Sequence, residues 1–209
     1  MKIVSYNIHK GMDSNNKMTL GKISKYLRNT NAEIICLQEV LYHQFAKLKL
    51  ELKMDGVFAA NVINASMMYG ICIFSNKEIY KNEHLLLTSK TEQRGFISAN
   101  IFSECGKINI INTHLGLDKN ERVIQIDEIL NYIYNLDGKS IICGDFNEQN
   151  ISISNFNDMA IYTKKYDLCT FFKTDDRIDY IFVDDVIYID NYAVDKIKLS
   201  DHYPIIGKI

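Results

Sequence analysis

Apolar residues along this chain gather in short β-branched runs, and most runs stop at a polar residue. Residues 2–6, 33–37, 69–74, 96–102, 108–111, 140–143, 178–183 and 186–189 share this pattern and are predicted strands. Near-continuous runs such as Ile34-Ile35-Cys36-Leu37 predict strands buried on both faces. Ile97, Ala99 and Ile101 alternate instead, as in a strand with one polar face. Leu20, Ile23, Tyr26 and Leu27 keep helical spacing behind a Thr19 cap. Asp118-Lys119-Asn120-Glu121 reads as a capping box, with Val123, Ile126, Ile129, Leu130 and Ile133 placed on one face of the helix that follows. A third helix is expected over 42–52. With about ten strands and three or four interspersed helices, the fold class is α/β, a four-layer sandwich of two packed mixed β-sheets flanked by helices.

Composition narrows this picture without redirecting it. A chain of 209 residues, 47% hydrophobic and 24% charged, is long enough for a sizeable core and reads as one soluble domain over 1–209. One proline, Pro204, and ten glycines mark no linker or low-complexity tail. A net charge of -2 gives no general attraction for a polyanion, so phosphate affinity would have to be local. The apolar run at the N-terminus is too short for a signal segment, and no stretch approaches the ~18 apolar residues of a membrane span. Cys36, Cys72, Cys105, Cys143 and Cys169 are odd in number and lack C-x-x-C spacing. Cys36, Cys72 and Cys143 lie in apolar runs and are expected to be buried thiols. A cytoplasmic monomer is the expectation.

The chemistry lies where strands end. Asn7, Glu39, His114, Asp145 and the pair Asp201-His202 each follow an apolar run. Singly, Asn and Asp at such positions make turns, and a lone histidine is more often a satisfied structural one. Glu39 is harder to dismiss, because a buried carboxylate needs a partner. Together, five such ends can meet on one rim of a sheet, where ligand sites form. Opening a phosphate ester needs a base for water, cations against phosphoryl oxygens and a donor to the leaving group, and these side chains supply most of that set.

Six segments stand in a telling order: Ser5-Tyr6-Asn7-Ile8-His9-Lys10-Gly11, Leu37-Gln38-Glu39-Val40, Asn112-Thr113-His114-Leu115, Gly144-Asp145-Phe146-Asn147, Arg177-Ile178-Asp179-Tyr180-Ile181 and Ser200-Asp201-His202-Tyr203-Pro204. In that order they resemble the endonuclease/exonuclease/phosphatase superfamily over essentially the whole chain. The resemblance implies that Glu39 is the principal ligand of a hard cation, Mg2+ or its substitute Mn2+, with Asn7 nearby on metal or phosphate. It implies that Asp145 orients the attacking water and Asn147 binds phosphoryl oxygens. It makes His202 a donor to the phosphate, with Asp179 holding its tautomer and favouring its charged form. His114 is expected as a general acid, and Asp201 as a direct or water-mediated metal ligand, or else a turn cap.

Thr113-His114 departs from the Tyr and Asn of apurinic-site repair nucleases and is closer to the pancreatic nuclease and sphingomyelinase branches. The chain is short for the superfamily, so loops that grip duplex DNA or lipid are expected to be reduced. Arg94 is either a bidentate phosphate contact or a surface ion pair. Tyr69-Gly70 either lines the cleft or packs in the core, and His9-Lys10 either meets substrate or faces solvent. The leading functional reading is a Mg2+-dependent phosphodiesterase of nuclease type, acting on DNA or another phosphodiester. A phosphomonoesterase or lipid-headgroup phosphodiesterase with the same centre is the second, and a noncatalytic binding module the third.

Overall fold

A computed structural model describes residues 1–104 and 106–209; Cys105 lies outside the described residues. In chain order the elements are β1 Lys2–Asn7, α1 Leu20–Thr30, β2 Ile34–Leu41, α2 Tyr42–Leu52, β3 Asp55–Asn64, β4 Met67–Ser75, β5 Lys81–Leu86, β6 Gly95–Ser103, β7 Gly106–His114, α3 Lys119–Tyr134, β8 Lys139–Asp145, β9 Phe156–Asp158, α4 Met159–Tyr162, β10 Asp179–Asp184, β11 Asn191–Val194 and β12 Ile205–Lys208. The strands form two six-stranded sheets, β11-β12-β1-β2-β4-β3 and β5-β6-β7-β8-β10-β9. One pair in each sheet is parallel, β1 with β2 and β7 with β8, so both sheets are mixed.

Burial explains the layers. Ile3, Ile34, Cys36, Ile73, Ile97, Ile110, Ile141 and Ile181 fill the space between the sheets. The outer face of the first sheet packs Val4, Ile35, Leu37 and Phe74 against Ile23, Leu27, Phe45 and Leu48 of α1 and α2. The outer face of the second packs Phe96, Ile111, Ile142 and Phe182 under Ile129 of α3. The result is the expected four-layer α/β sandwich, and the central strands read as apolar runs because both of their faces are covered. Cys36, Cys72 and Cys143 are buried free thiols within it.

Several local expectations need correction. Residues 186–189 are not a strand. The backbone turns there, with Val186 66% and Tyr188 73% exposed while Ile187 and Ile189 enter the core, and pairing resumes only at β11. Val123 of α3 points outward at 55% exposure, leaving Gln125 and Ile129 on the buried face. Asp118 accepts from the Glu121 amide at 2.9 Å, but the Glu121 carboxylate turns to Lys90 and Gln125, so only half of a capping box forms. The Thr19 hydroxyl donates to the Leu199 carbonyl at 2.5 Å instead of capping α1. The polar face of β6 is buried as well, with Ser98 fully covered and Asn100 bonded to Asn109.

Candidate active site

Strand register does most of the assembly. His114 ends β7 opposite Asp145 at the end of β8, and Asp145 stands opposite Asp179 at the start of β10. Three polar residues therefore sit side by side on one edge of the second sheet. The first sheet brings Asn7 opposite Gln38 through the parallel pairing of β1 with β2. A β-bulge between Leu37 and Val40 then swings Glu39 out of the ladder, with φ of 56°. A glutamate rarely adopts that conformation, and bulges commonly re-aim a side chain in this way.

Asp145 is 1% exposed and is the hub. Its Oδ1 accepts from the Asn147 backbone amide at 3.0 Å. Its Oδ2 accepts from Asn7 Nδ2 at 2.9 Å and lies 3.5 Å from His114 Nε2 and 3.6 Å from His202 Nε2. Asn7 Nδ2 also reaches Glu39 Oε1 at 3.2 Å, which ties the two sheets' carboxylates together. Asn7 Oδ1 accepts from the His9 amide at 3.1 Å and is thereby oriented. Burial raises the Asp145 pKa, against the opposing pull of His202 and His114; a carboxylate so placed is a better proton acceptor near neutral pH.

The two imidazoles differ. His202 Nδ1 is 2.8 Å from Asp179 Oδ2, and both side chains are buried. Burial disfavours its cation, but Asp179 and then Asp145 outweigh that and raise the pKa to about 10. For His114, burial dominates and the Arg94 and His202 charges add to it, lowering the pKa to about 3 despite Asp145. One imidazole is thus cationic at neutral pH and its neighbour is not.

The residue set that could hold a cation is oxygen-based. Glu39 is half-buried beside the Tyr69 phenol, whose pKa is pushed up by burial and by the Glu39 charge. The Glu39 carboxylate suits a hard divalent ion, to which Asn7 would add only its Oδ1, the atom that also accepts from the His9 amide, and the described cysteines nearby in sequence are buried thiols. Asp145, Asp179 and His202 also bring ligand atoms within 4.8 Å of one another. In that trio the imidazolium already supplies the positive charge, so Glu39 with Asn7 is the better cation site. Asp201 is engaged elsewhere: Lys173 at 2.9 Å, Ser200 Oγ at 3.3 Å and His9 Nδ1 at 3.7 Å surround its carboxylate.

The other predicted residues fall around this hub. Asn147, with φ of 51°, donates Nδ2 to the Leu115 carbonyl at 2.8 Å. Arg94 is buried, with Nη1 2.6 Å from Glu92 Oε1 and 3.2 Å from His114 Nδ1. Lys10 lies over the Tyr69 ring at 5.0 Å. Both border a surface groove of ≈ 380 Å³ that also takes in Asn61, Thr91 and Gln93.

Sequence reasoning missed several supports. Thr170 Oγ1 accepts the amides of Ile178 and Asp179, Phe171 packs on the His202 ring at 4.8 Å, and Ser200 Oγ donates to the Asn7 carbonyl at 2.8 Å. Ser200 opens the segment Ser200-Asp201-His202-Tyr203-Pro204, but no role was read for it there. Thr170 and Phe171 carried no pattern of their own.

The model of the Endonuclease/Exonuclease/phosphatase family matches residues 4–202. YbhP of Escherichia coli (strain K12) is 27% identical over 169 residues, 70% of this chain and 66% of that protein, just under two thirds of its length. Mannosyl-6-phosphatase from Bacteroides thetaiotaomicron superposes with a TM-score of 0.82 at 18% identity, covering 100% of this chain and 98% of the other. D. rerio TDP2 complexed with a single-strand DNA product gives 0.80 at 19% identity, covering 99% and 97%. A conserved protein of unknown function from Enterococcus faecalis V583 gives 0.82 at 19%, covering 100% and 98%. These likenesses show the shared fold, and the family is one of divalent-metal-dependent phosphoester hydrolases. Among the described residues no helix is long and apolar enough to cross a membrane. With its model matched from Val4 to His202, this chain belongs to the Endonuclease/Exonuclease/phosphatase family.

Proposed function

We propose that the chain is a Mg2+-dependent phosphodiesterase that cleaves by direct attack of water, with Mn2+ as a substitute metal. One observation carries this reading: Asn7, His114 and His202 all lie within 3.6 Å of a single Asp145 carboxylate oxygen, while Asn7 bridges to Glu39. Asp145 orients and deprotonates the water. His202, charged through Asp179, donates from Nε2 to a nonbridging phosphoryl oxygen, and Asn7 steadies the ground between base and cation site. Glu39 and Asn7 would hold the metal, with Asp201 acting through water; the ion supplies charge neutralisation at the phosphate and leaving oxygen. Asn147 fixes the Asp145 carboxylate through its backbone amide more than it meets substrate.

DNA is one candidate phosphodiester, in keeping with the TDP2 structure's bound single-strand DNA product. A specific feature favours a second reading, a small phosphomonoester: the groove beside Tyr69 is compact, and the chain's net charge is -2. The mannosyl-6-phosphatase of like fold is consistent with that reading. In either case residues 1–209 are proposed to work as a single domain and as a cytoplasmic monomer, supported by the continuous inter-sheet core and the reduced buried cysteines.

Purified protein with Mg2+ or Mn2+, assayed on plasmid DNA, bis-p-nitrophenyl phosphate and p-nitrophenyl phosphate beside an Asp145→Asn variant, tests the proposal. Diester cleavage that depends on Asp145 supports the first reading. Hydrolysis of the monoester alone replaces it with the second. No hydrolysis of any of the three would revive a binding role.

A further inference from the structure

The two imidazoles beside Asp145 are backed by groups of opposite charge. Behind His202 stands a carboxylate, Asp179, which accepts a hydrogen bond from Nδ1–H. Behind His114 stands a guanidinium, whose Nη1 is 3.2 Å from Nδ1. Arginine has five N–H donors, no acceptor, and no accessible neutral form. Its neighbour must therefore present a lone pair. A neutral imidazole carries one proton, and if Nδ1 is the acceptor that proton sits on Nε2, the nitrogen facing Asp145 at 3.5 Å.

Resting on the phosphoesterase reading of the site, we propose that Arg94 is a positioning residue that locks His114 into the neutral Nε2–H tautomer. His114 then serves as an uncharged hydrogen-bond donor to the phosphoryl group or the attacking water, and not as a general acid.

The fold holds Arg94 for this task. Gly95 at the start of β6 pairs with His114 at the end of β7, so the preceding residue is delivered to the imidazole's outer edge. The Arg94 amide donates to Ser89 Oγ at 2.9 Å and its carbonyl accepts from Leu87 N at 2.9 Å and Gln93 Nε2 at 2.8 Å. Glu92 accepts from the same Nη1 at 2.6 Å, using its second proton and neutralising the buried cation. Putting a proton on His114 Nδ1 would set N–H against N–H beside a fixed positive charge in a buried space, which burial already opposes. The arrangement also protects the base. A second imidazolium next to Asp145 would stabilise its carboxylate further and weaken it as a proton acceptor.

The decisive measurement is long-range 1H–15N correlation on the full chain labelled with [15N]histidine, with His114→Gln used for assignment. Wild-type His114 is expected to show an unprotonated Nδ1 and a protonated Nε2, unchanged from about pH 5.5 to about 8.5. Arg94→Glu should convert it to an imidazolium at mildly acidic pH, whereas Arg94→Lys, which keeps a donor facing Nδ1, should hold the tautomer. A protonated Nδ1 in the wild type, or a His114 tautomer indifferent to Arg94→Glu, overturns the proposal. This readout needs no turnover, so it stands apart from failure of the phosphoesterase reading. In kinetics, Arg94→Gln should lower kcat roughly 10- to 100-fold with KM changed less than about threefold. A rise in KM at unchanged kcat would instead mark Arg94 as a substrate-phosphate contact and overturn the positioning role.

Discussion

Asp145 combines a fixed geometry with an environment that resists ionisation, and both follow from its place at the end of β8. Its Oδ1 is pinned by the Asn147 amide, so Oδ2 alone faces Asn7 and the imidazoles. Replacing that carboxylate with a carboxamide keeps the shape and removes the proposed base. Asp145→Asn is expected to lower kcat by about 10²–10⁴-fold with little change in KM, measured on a chromogenic phosphate ester at saturating metal. His202 makes a prediction about stability. Its folded pKa of about 10 lies above the ordinary 6.5, because Asp179 and Asp145 outweigh burial. A raised basic group stabilises the fold fully below the unfolded pKa, and that contribution fades as pH rises through the folded one. In metal-free protein, the Tm advantage of wild type over His202→Gln should be largest near about pH 6 and mostly gone by about pH 10. An advantage that does not change over that window would mean the His202–Asp179 pair is not an ion pair. The candidate residues Asn7, Glu39, His114, Asp145 and His202 were legible because each follows an apolar run, and Asp179 as the support of His202 came with the family resemblance; the other partners were not. Arg94 beside His114 depends on β6–β7 register, and Lys173 beside Asp201 spans loops 28 residues apart.

Elements differed in legibility for a physical reason. β1, β2, β7 and β8 are covered on both faces and appear as plain apolar runs. β5 lies at a sheet edge and is largely exposed, so Lys81-Asn82-Glu83-His84 carries no apolar signal. β11 and the end strand β3 mix buried with exposed positions, while the apolar stretch 186–189 is spent on a turn that plugs the core with Ile187 and Ile189. α2 spans its expected extent, 42–52. Close approach between strands leaves its own mark in Gly144, which has φ of +151° and where an added Cβ would meet the Thr113 carbonyl oxygen at 2.1 Å. That contact is to backbone within the parallel β7–β8 pair, so no side chain can move aside. Gly144→Ala should therefore destabilise the protein by about 1–3 kcal/mol, read as a lower urea midpoint, and should also cut activity because Asp145 is the next residue. Full stability in the alanine variant would show that the two strands can separate without loss.

At the scale of the molecule, the proposed catalysis depends on keeping two sheets in one relative position, since Glu39 belongs to the first and Asp145 to the second. Apolar packing between them is adaptable, and Ile, Ala and Cys side chains there tolerate small sliding. Directional bonds do not. Asn112 of β7 reaches across the interface, donating Nδ2 to the carbonyls of Leu37 at 2.9 Å and Cys72 at 2.8 Å. Its Oδ1 accepts from Gln38 Nε2 at 2.7 Å, and Gln38 in turn reaches Ser5 Oγ at 3.2 Å. Both Asn112 and Gln38 are fully buried, and Leu37 borders the bulge that aims Glu39. Asn112→Leu keeps the branching at Cγ and adds apolar surface, which area arguments alone would make harmless. Because it strands two carbonyls and an amide in a dry interior, it should instead cost at least about 1–3 kcal/mol, seen in urea unfolding. It should also lower kcat roughly tenfold to a hundredfold in the folded enzyme at saturating metal, since a shift of about 1 Å between reacting groups is enough for such a loss. Loss of stability with activity per folded molecule intact would show that the sheets are registered by their apolar core, and that the Asn112–Gln38 link serves only to satisfy buried polar groups.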